Sequence, residues 1–163
     1  MIRLALVRHA KSDWGDPGLA DHDRPLNARG RRDAPVMAAR LAVSGFVPDA
    51  IVSSTAVRAR ATAQAFSDEF GVPVSLERRL YAAPGTALLR AAVESGGAGA
   101  ASVVLVAHNP GITELAYALS QERITHMPTC AVATFAWELH ADAHGWHAID
   151  AVEPVEWKLD VAR

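Results

Sequence analysis

Short, almost uniformly apolar runs alternate along this chain with longer stretches in which apolar residues return every three or four positions. The runs Ile2–Val7, Ala50–Ser53, Pro73–Leu76, Val103–Ala107, Ala131–Trp137 and Trp146–Ala151 predict strands. The stretches Ala28–Ser44, Ala56–Phe70, Thr86–Glu94 and Ile112–Leu119 predict helices. Ile2–Val7 is apolar at nearly every position, the pattern of a strand buried on both faces. Such alternation predicts an α/β three-layer sandwich: a mostly parallel central sheet with helices on both faces. The last two runs, separated by His140–Gly145, predict an antiparallel edge hairpin. Ser53-Ser54-Thr55 offers capping hydroxyls to the second helix. Asn109 offers a cap to the fourth, with Pro110 tolerated in its first turn. Gly96-Gly97-Ala98-Gly99-Ala100 predicts a flexible connector too short to divide domains, and no internal repeat is visible. Residues 1–163 are therefore expected to form a single domain.

Composition narrows the picture. Half the residues are hydrophobic and 21% are charged, which excludes general disorder. Acidic residues outnumber Lys plus Arg by 18 to 16, so a broad nucleic-acid-binding surface is not expected. The single cysteine, Cys130, cannot form an internal disulfide and fits a reducing compartment. It opens the apolar run Ala131-Val132-Ala133 and is expected to be a buried, inert thiol. A cysteine phosphatase would need an arginine six positions on, where Ala136 stands. No run approaches the ~20 apolar residues of a membrane span. The opening run is too short for a signal-peptide core and leads directly into Arg8-His9. A soluble, cytoplasmic protein with no membrane partner is expected, and a monomer is the default.

Candidate chemistry gathers at three strand ends. Arg8-His9 follows the first strand, Arg58 and Arg60 lie on the first turns of the helix after the second, and His108-Asn109 follows the fourth. In a parallel sheet these positions share one edge, where open α/β sheets bind ligands. Two histidines, two or more arginines and two helix N-termini there favour an oxyanion, with arginine gripping two oxygens and histidine able to attack phosphorus. The long irregular segment from Lys11 to Asn27 begins beside His9, as functional loops often do.

Leu-Val-Arg-His-Ala-Lys-Ser, Ser-Ser-Thr-Ala-Val-Arg-Ala-Arg-Ala-Thr-Ala and Val-Ala-His-Asn-Pro-Gly together resemble the signatures of the histidine phosphatase superfamily. That superfamily includes metal-free phosphatases and phosphoglycerate mutases. The chain is most similar to its small single-domain phosphohistidine phosphatases, through Lys11-Ser12-Asp13-Trp14, the run Asp23 to Gly30, and Leu80-Tyr81. The resemblance spans essentially the whole chain. It implies that His9 is a nucleophile phosphorylated in turnover, that Arg8 and Arg58 clamp the phosphoryl oxygens, and that His108 donates to them. Arg60 is expected to face elsewhere, Asn109 to cap its helix or orient His108, and Lys11 and Ser12 to line the pocket. No cofactor or metal is implied. The expected partners are a phosphorylated protein or a small phosphorylated substrate, with phosphate as product.

One departure bears on the substrate. Many relatives that act on phosphate esters carry a glutamate shortly after the third strand as proton donor, where this chain reads Leu80-Tyr81-Ala82-Ala83. An alkoxide leaving without a general acid loses ~10²–10⁴-fold in rate. A phosphohistidine needs less help, since transfer to His9 exchanges one N–P bond for another. Asp13, Asp16 and Asp21 on the long loop, or Glu77, could still supply a proton. The expected function is removal of phosphate from protein phosphohistidine. A phosphatase of sugar or nucleotide phosphates and a non-catalytic phosphate-binding adaptor are the rivals, and a mutase would need a more enclosed site. An open pocket without a large insertion would admit a phosphohistidine displayed on another protein.

Other motifs carry less. Asp21-His22-Asp23 does not follow a buried strand, as the paired aspartates of another phosphatase class do. His140, His144 and His147 have ligand-like spacing but fall in the turn of the expected hairpin. His126 could approach the pocket. Trp14, Trp137, Trp146 and Trp157 read as packing residues, with Trp14 a candidate pocket wall. No nucleotide-type glycine-rich loop is present.

Overall fold

A computed structural model describes all residues 1–163. Six strands form one sheet: β1 (Ile2–Arg8), β2 (Ala50–Ser53), β3 (Val74–Leu76), β4 (Ser102–Ala107), β5 (Val132–Trp137) and β6 (Glu156–Asp160). Their spatial order is β3-β2-β4-β1-β5-β6; the first four run parallel, and β5 pairs antiparallel with both β1 and β6. The helices are α1 (Ala28–Val43), α2 (Val57–Phe70), α3 (Gly85–Gly97), α4 (Gly111–Leu119) and α5 (Ala143–His147).

Both faces of the central strands are apolar, so each packs into its own core. Leu4, Leu6, Val103 and Leu105 pack with residues of α3, α4 and α5. Ala5, Val7, Val104 and Val106 pack with residues of α1 and α2. This period of two, apolar on both sides, is what the uniform runs encode. β1 and β4 lie at the centre, and no helix is long and apolar enough to cross a membrane.

Three expectations are corrected. Trp146–Ala151 is not a strand: Ala143–His147 is a short helix capped by Asp142, whose Oδ1 accepts the Gly145 N–H at 2.8 Å, and turns follow it. The antiparallel partner of β5 is β6, built from a later alternating segment. Gly96-Gly97 is no flexible connector either, for it ends α3, and a Cβ on Gly96 would stand 1.9 Å from the buried Trp146 ring. Glycine is required there for close packing. Thirdly, the expected caps are spent otherwise. Neither α2 nor α4 has a side-chain cap; Ser53 bonds the Ser54 carbonyl, Ser54 meets His108, Thr55 meets His22, and Asn109 bonds Thr113 and the Met127 carbonyl.

Candidate active site

The ladder of the parallel strands continues one residue past its ends and fixes the residues that follow. His9 N–H donates to Ala107 O at 3.1 Å, and Ser54 N–H to Val106 O at 3.0 Å. Cys130 N–H reaches back to the carbonyls of Arg8 (3.1 Å) and His9 (3.0 Å) from a left-handed backbone, φ 62°. The chain leaving each strand is thereby held at one edge. Behind it, Thr62 joins the first two strand ends: its hydroxyl accepts the Ala10 N–H at 2.9 Å and donates to Arg58 O at 2.8 Å. Gly30, at the start of α1, abuts the Lys11 backbone so closely that a Cβ would lie 2.2 Å from the Lys11 carbonyl.

These constraints bring the four expected residues together. The His9 and His108 ring centroids are 5.1 Å apart. His9, Arg58 and His108 are buried, and Arg8 is half-buried. Burial holds His9 at a pKa of about 3 against the Ala10 carbonyl, which acts to raise it, while His108 when protonated, Arg58 and Arg8 add to the lowering. Burial, then Arg58, holds His108 at about 4. Both rings are neutral at neutral pH. His9 Nδ1 lies 2.7 Å from Ala10 O, which can only accept, so Nδ1 carries the proton and Nε2 keeps its lone pair. A neutral imidazole with a free Nε2 is the form that can attack phosphorus.

Three buried nitrogens here lack any protein partner: Arg8 Nε, Arg58 Nε and His108 Nδ1. Only one other buried side-chain polar atom in the molecule, Asp33 Oδ2, shares that condition. Buried polar groups are almost always paired, so a cluster of unpaired nitrogens beside His9 is an arrangement able to receive an anion. The remaining groups of these residues are used for positioning. Arg8 Nη1 donates to Met127 O at 3.1 Å, while Arg58 Nη1 and Nη2 donate to Asp21 O (2.6 Å) and Oδ2 (3.0 Å).

The other candidates fall into place around this cluster. Asn109 neither caps α4 nor touches His108; it accepts from the Thr113 hydroxyl at 2.6 Å and donates to Met127 O at 3.2 Å. Ser12 accepts from Arg24 Nη1 at 2.6 Å, and the Lys11 carbonyl accepts the Asn27 N–H at 3.0 Å. Arg60 is exposed. Asp13 and Asp16 accept the backbone N–H groups of Gly15 and Gly18 in exposed loop turns. Glu77 pairs with Arg79 at 3.4 Å. His126 is exposed, and no group of His, Cys, Asp or Glu in the molecule has a metal-holding arrangement. Trp14 is 70% exposed, with the Arg24 guanidinium 3.5 Å from its ring centre.

Asp21 stands apart from the other carboxylates. Oδ1 accepts from Arg24 Nε (3.1 Å) and Nη2 (2.9 Å); Oδ2 accepts from Arg58 Nη2 and from the Tyr81 hydroxyl at 2.5 Å. All four lone-pair positions are filled. The Tyr81 bond, then those from Arg24 and Arg58, drive its pKa below the carboxylate range. It is ionised and has no proton to give. Tyr81 itself meets His108 edge-on at 5.6 Å and His22 at 4.8 Å, and its hydroxyl pKa is raised by the bond to Asp21.

Sequence reasoning did not assign Ser54, Thr62, Tyr81, Arg24 or the Met127 carbonyl to the site. Two signals were there to read. Thr62 lies four residues after Arg58, on the same helical face, and Ser54 follows β2 as His9 follows β1.

The fold and this edge define an α/β protein with a cluster of unpaired buried nitrogens at the carboxyl ends of its parallel strands, an arrangement suited to an oxyanion. Residues 4–81 match the family model of the histidine phosphatase superfamily, branch 1. An uncharacterized protein of Mycobacterium tuberculosis is 36% identical over 138 residues, covering 78% of this chain and 84% of the relative. A structure from Agrobacterium tumefaciens, assigned as the phosphohistidine phosphatase SixA, is 34% identical and superposes with a TM-score of 0.75 over 82% of this chain and 91% of that one. A mycobacterial glucosyl-3-phosphoglycerate phosphatase shares the fold at 22% identity, TM-score 0.66, over 99% of this chain and 98% of that one. The chain belongs to the histidine phosphatase superfamily.

Proposed function

We propose that this protein removes phosphate from histidine side chains of another protein, with His9 Nε2 as the group that is transiently phosphorylated. The observation that carries the chemistry is the set of unpartnered nitrogens on Arg8, Arg58 and His108 beside a neutral His9 whose Nδ1 is engaged by Ala10 O. In the first step the Nε2 lone pair forms a bond to phosphorus, and the bond from phosphorus to the substrate imidazole breaks. A phosphohistidine protonated on its other ring nitrogen departs as neutral imidazole, so no proton need be supplied. The phosphorylated His9 ring becomes cationic, and Ala10 O accepts from its Nδ1–H. In the second step water attacks phosphorus and His9 leaves as neutral imidazole. Arg8, Arg58 and His108 stabilise the spreading charge in both steps.

The preference for a nitrogen leaving group is supported by the state of the carboxylates. Asp21 is the one acidic residue bonded to the phosphate-holding set, and it is ionised and saturated. An alcohol leaving group would require a proton that this residue does not have. Parallel rates on a phosphohistidine-bearing protein and on sugar and nucleotide phosphates test the proposal. A preference of at least about 10²-fold for phosphohistidine is expected from the missing acid. Faster turnover of the esters would replace this reading with that of a small-molecule phosphatase, and no turnover of either, with phosphate still bound, would leave an adaptor.

A further inference from the structure

Ser54 sits where β2 passes its chain to α2, with no solvent exposure. Its Oγ has two polar neighbours: the Ala56 N–H, which donates to it at 3.2 Å, and His108 Nε2 at 2.8 Å. A hydroxyl has one proton to give and two lone pairs to offer. The Ala56 N–H fills a lone pair and can accept nothing. The ring nitrogen is therefore the only acceptor within reach of the hydroxyl proton, and a buried donor is paired wherever a partner exists. The reverse arrangement, with Nε2–H donating to Oγ, strands the hydroxyl proton. It also leaves His108 Nδ1, which has no protein partner, as a bare lone pair among groups that receive an anion.

We infer that Ser54 is a positioning residue: by donating its proton to Nε2 it fixes His108 with the remaining proton on Nδ1, turning that nitrogen into a donor for a phosphoryl oxygen. The use of that donor rests on the proposed phosphatase activity; the tautomer does not. A neutral ring has a single N–H, so the nitrogen that bears it decides whether His108 attracts or repels the anion. His9 is set by the same means to the opposite end. There a carbonyl takes the Nδ1–H and leaves Nε2 bare, whereas at His108 a hydroxyl covers Nε2 and leaves Nδ1–H free. One accepting and one donating neighbour thus make a nucleophile and an oxyanion donor from the same side chain. The hydroxyls expected to cap α2 include this one, and the helix forgoes that cap.

Long-range proton–nitrogen NMR on the full chain labelled with ¹⁵N-histidine reads the tautomer directly, with a His108→Gln spectrum to assign the resonances. His108 is expected to show a protonated Nδ1 and an unprotonated Nε2 at neutral pH; the reverse pattern in the wild-type protein would overturn the inference without any variant. Ser54→Ala is expected to shift His108 toward a mixture of tautomers, weaken inhibition by inorganic phosphate, and lower kcat on the order of tenfold, a fraction of the loss from removing an oxyanion donor outright. Ser54→Thr, which keeps the hydroxyl, is expected to restore the wild-type tautomer. A Ser54→Ala protein with an unchanged tautomer and unchanged kcat also overturns it. A wild-type protein with the expected tautomer that hydrolyses no phosphorylated substrate keeps the Ser54 assignment and overturns the proposed activity.

Discussion

The floor of the site and the loop network beside it are built on opposite principles. On the floor, Arg8 ends β1, His9 and His108 follow β1 and β4, and Arg58 opens α2; Arg8, Arg58 and His108 each carry a nitrogen that the protein leaves unpaired. In the network, Ser12, Asp21, Arg24 and Tyr81 satisfy one another, and Asp21 has no lone pair to spare. Arg58 belongs to both: its two terminal nitrogens hold the loop while Nε stays free. Unspent donors mark where a ligand's charge is met, and saturated ones mark where the protein sets its own shape. Asp21, the carboxylate bonded to both Arg58 and Arg24, is ionised and organises those arginines.

Variants can break this division. His9→Ala should abolish turnover, a loss of at least about 10³-fold, while the folded state persists; steady-state assays with circular dichroism check both. Persistent activity would move the nucleophile elsewhere and dissolve the floor as defined. Arg58→Ala should cost ~10²–10³-fold in kcat/KM, as loss of an oxyanion-stabilising donor does. Because Arg58 also anchors Asp21, the same variant should leave the segment around residues 21–24 more open to proteolysis. Lysine should not rescue it, since a point charge cannot hold the loop and an oxygen at once.

A sharper test lies in the network. Asp21→Asn keeps the shape of the side chain, removes its charge and loosens both arginines, so turnover should fall by no more than about tenfold, and equally for phosphohistidine and ester substrates. A proton donor would behave otherwise: the ester rate alone would drop by ~10²–10⁴-fold. A selective collapse of that kind would return Asp21 to the role of general acid.

The same division explains what the sequence disclosed. The sheet core was legible because buried parallel strands write themselves as unbroken apolar runs, and the floor because its residues follow those runs at once. Edge elements were less legible. Trp146 and Ile149 recur three apart within an apolar stretch that periodicity alone does not separate from a strand, whereas β6 is the alternating segment Glu156-Trp157-Lys158-Leu159-Asp160, half-polar as an edge strand should be. Gly96 resembled a hinge because a glycine demanded by a tryptophan from a distant segment has no local signature. The network was hidden for a related reason. Its bonds join Asp21 to Arg58 and Tyr81 across long stretches of chain, and no spacing rule links them. The hydroxyls of Ser54 and Thr62 were visible but open to a local use as caps or helix residues, and only the packed sheet edge shows which use prevails.

The smallest expected effects concern protons, and they separate the two regions once more. In the folded protein His9 and His108 titrate at about 3 and about 4, below the ordinary 6.5, while unfolding returns both toward that value. Between those limits the unfolded chain binds more protons than the native one, so the stability these rings permit is fully present above pH 6.5 and declines as pH falls toward 4. Asp21 adds to this only at lower pH, because its native pKa lies beneath the carboxylate range and the unfolded chain takes up its proton first. Denaturant midpoints measured between pH 7 and 5 should fall with pH, and a His9→Gln/His108→Gln variant should lose part of that slope. Turnover of an acid-stable aryl phosphate, corrected for the ionisation of the substrate itself, should stay flat over the same interval, since neither ring gains a proton there. A decline centred near 6.5 in the corrected profile would mean that a floor histidine is hydrated and protonated in the working enzyme, and a nucleophile in that state has no lone pair with which to begin.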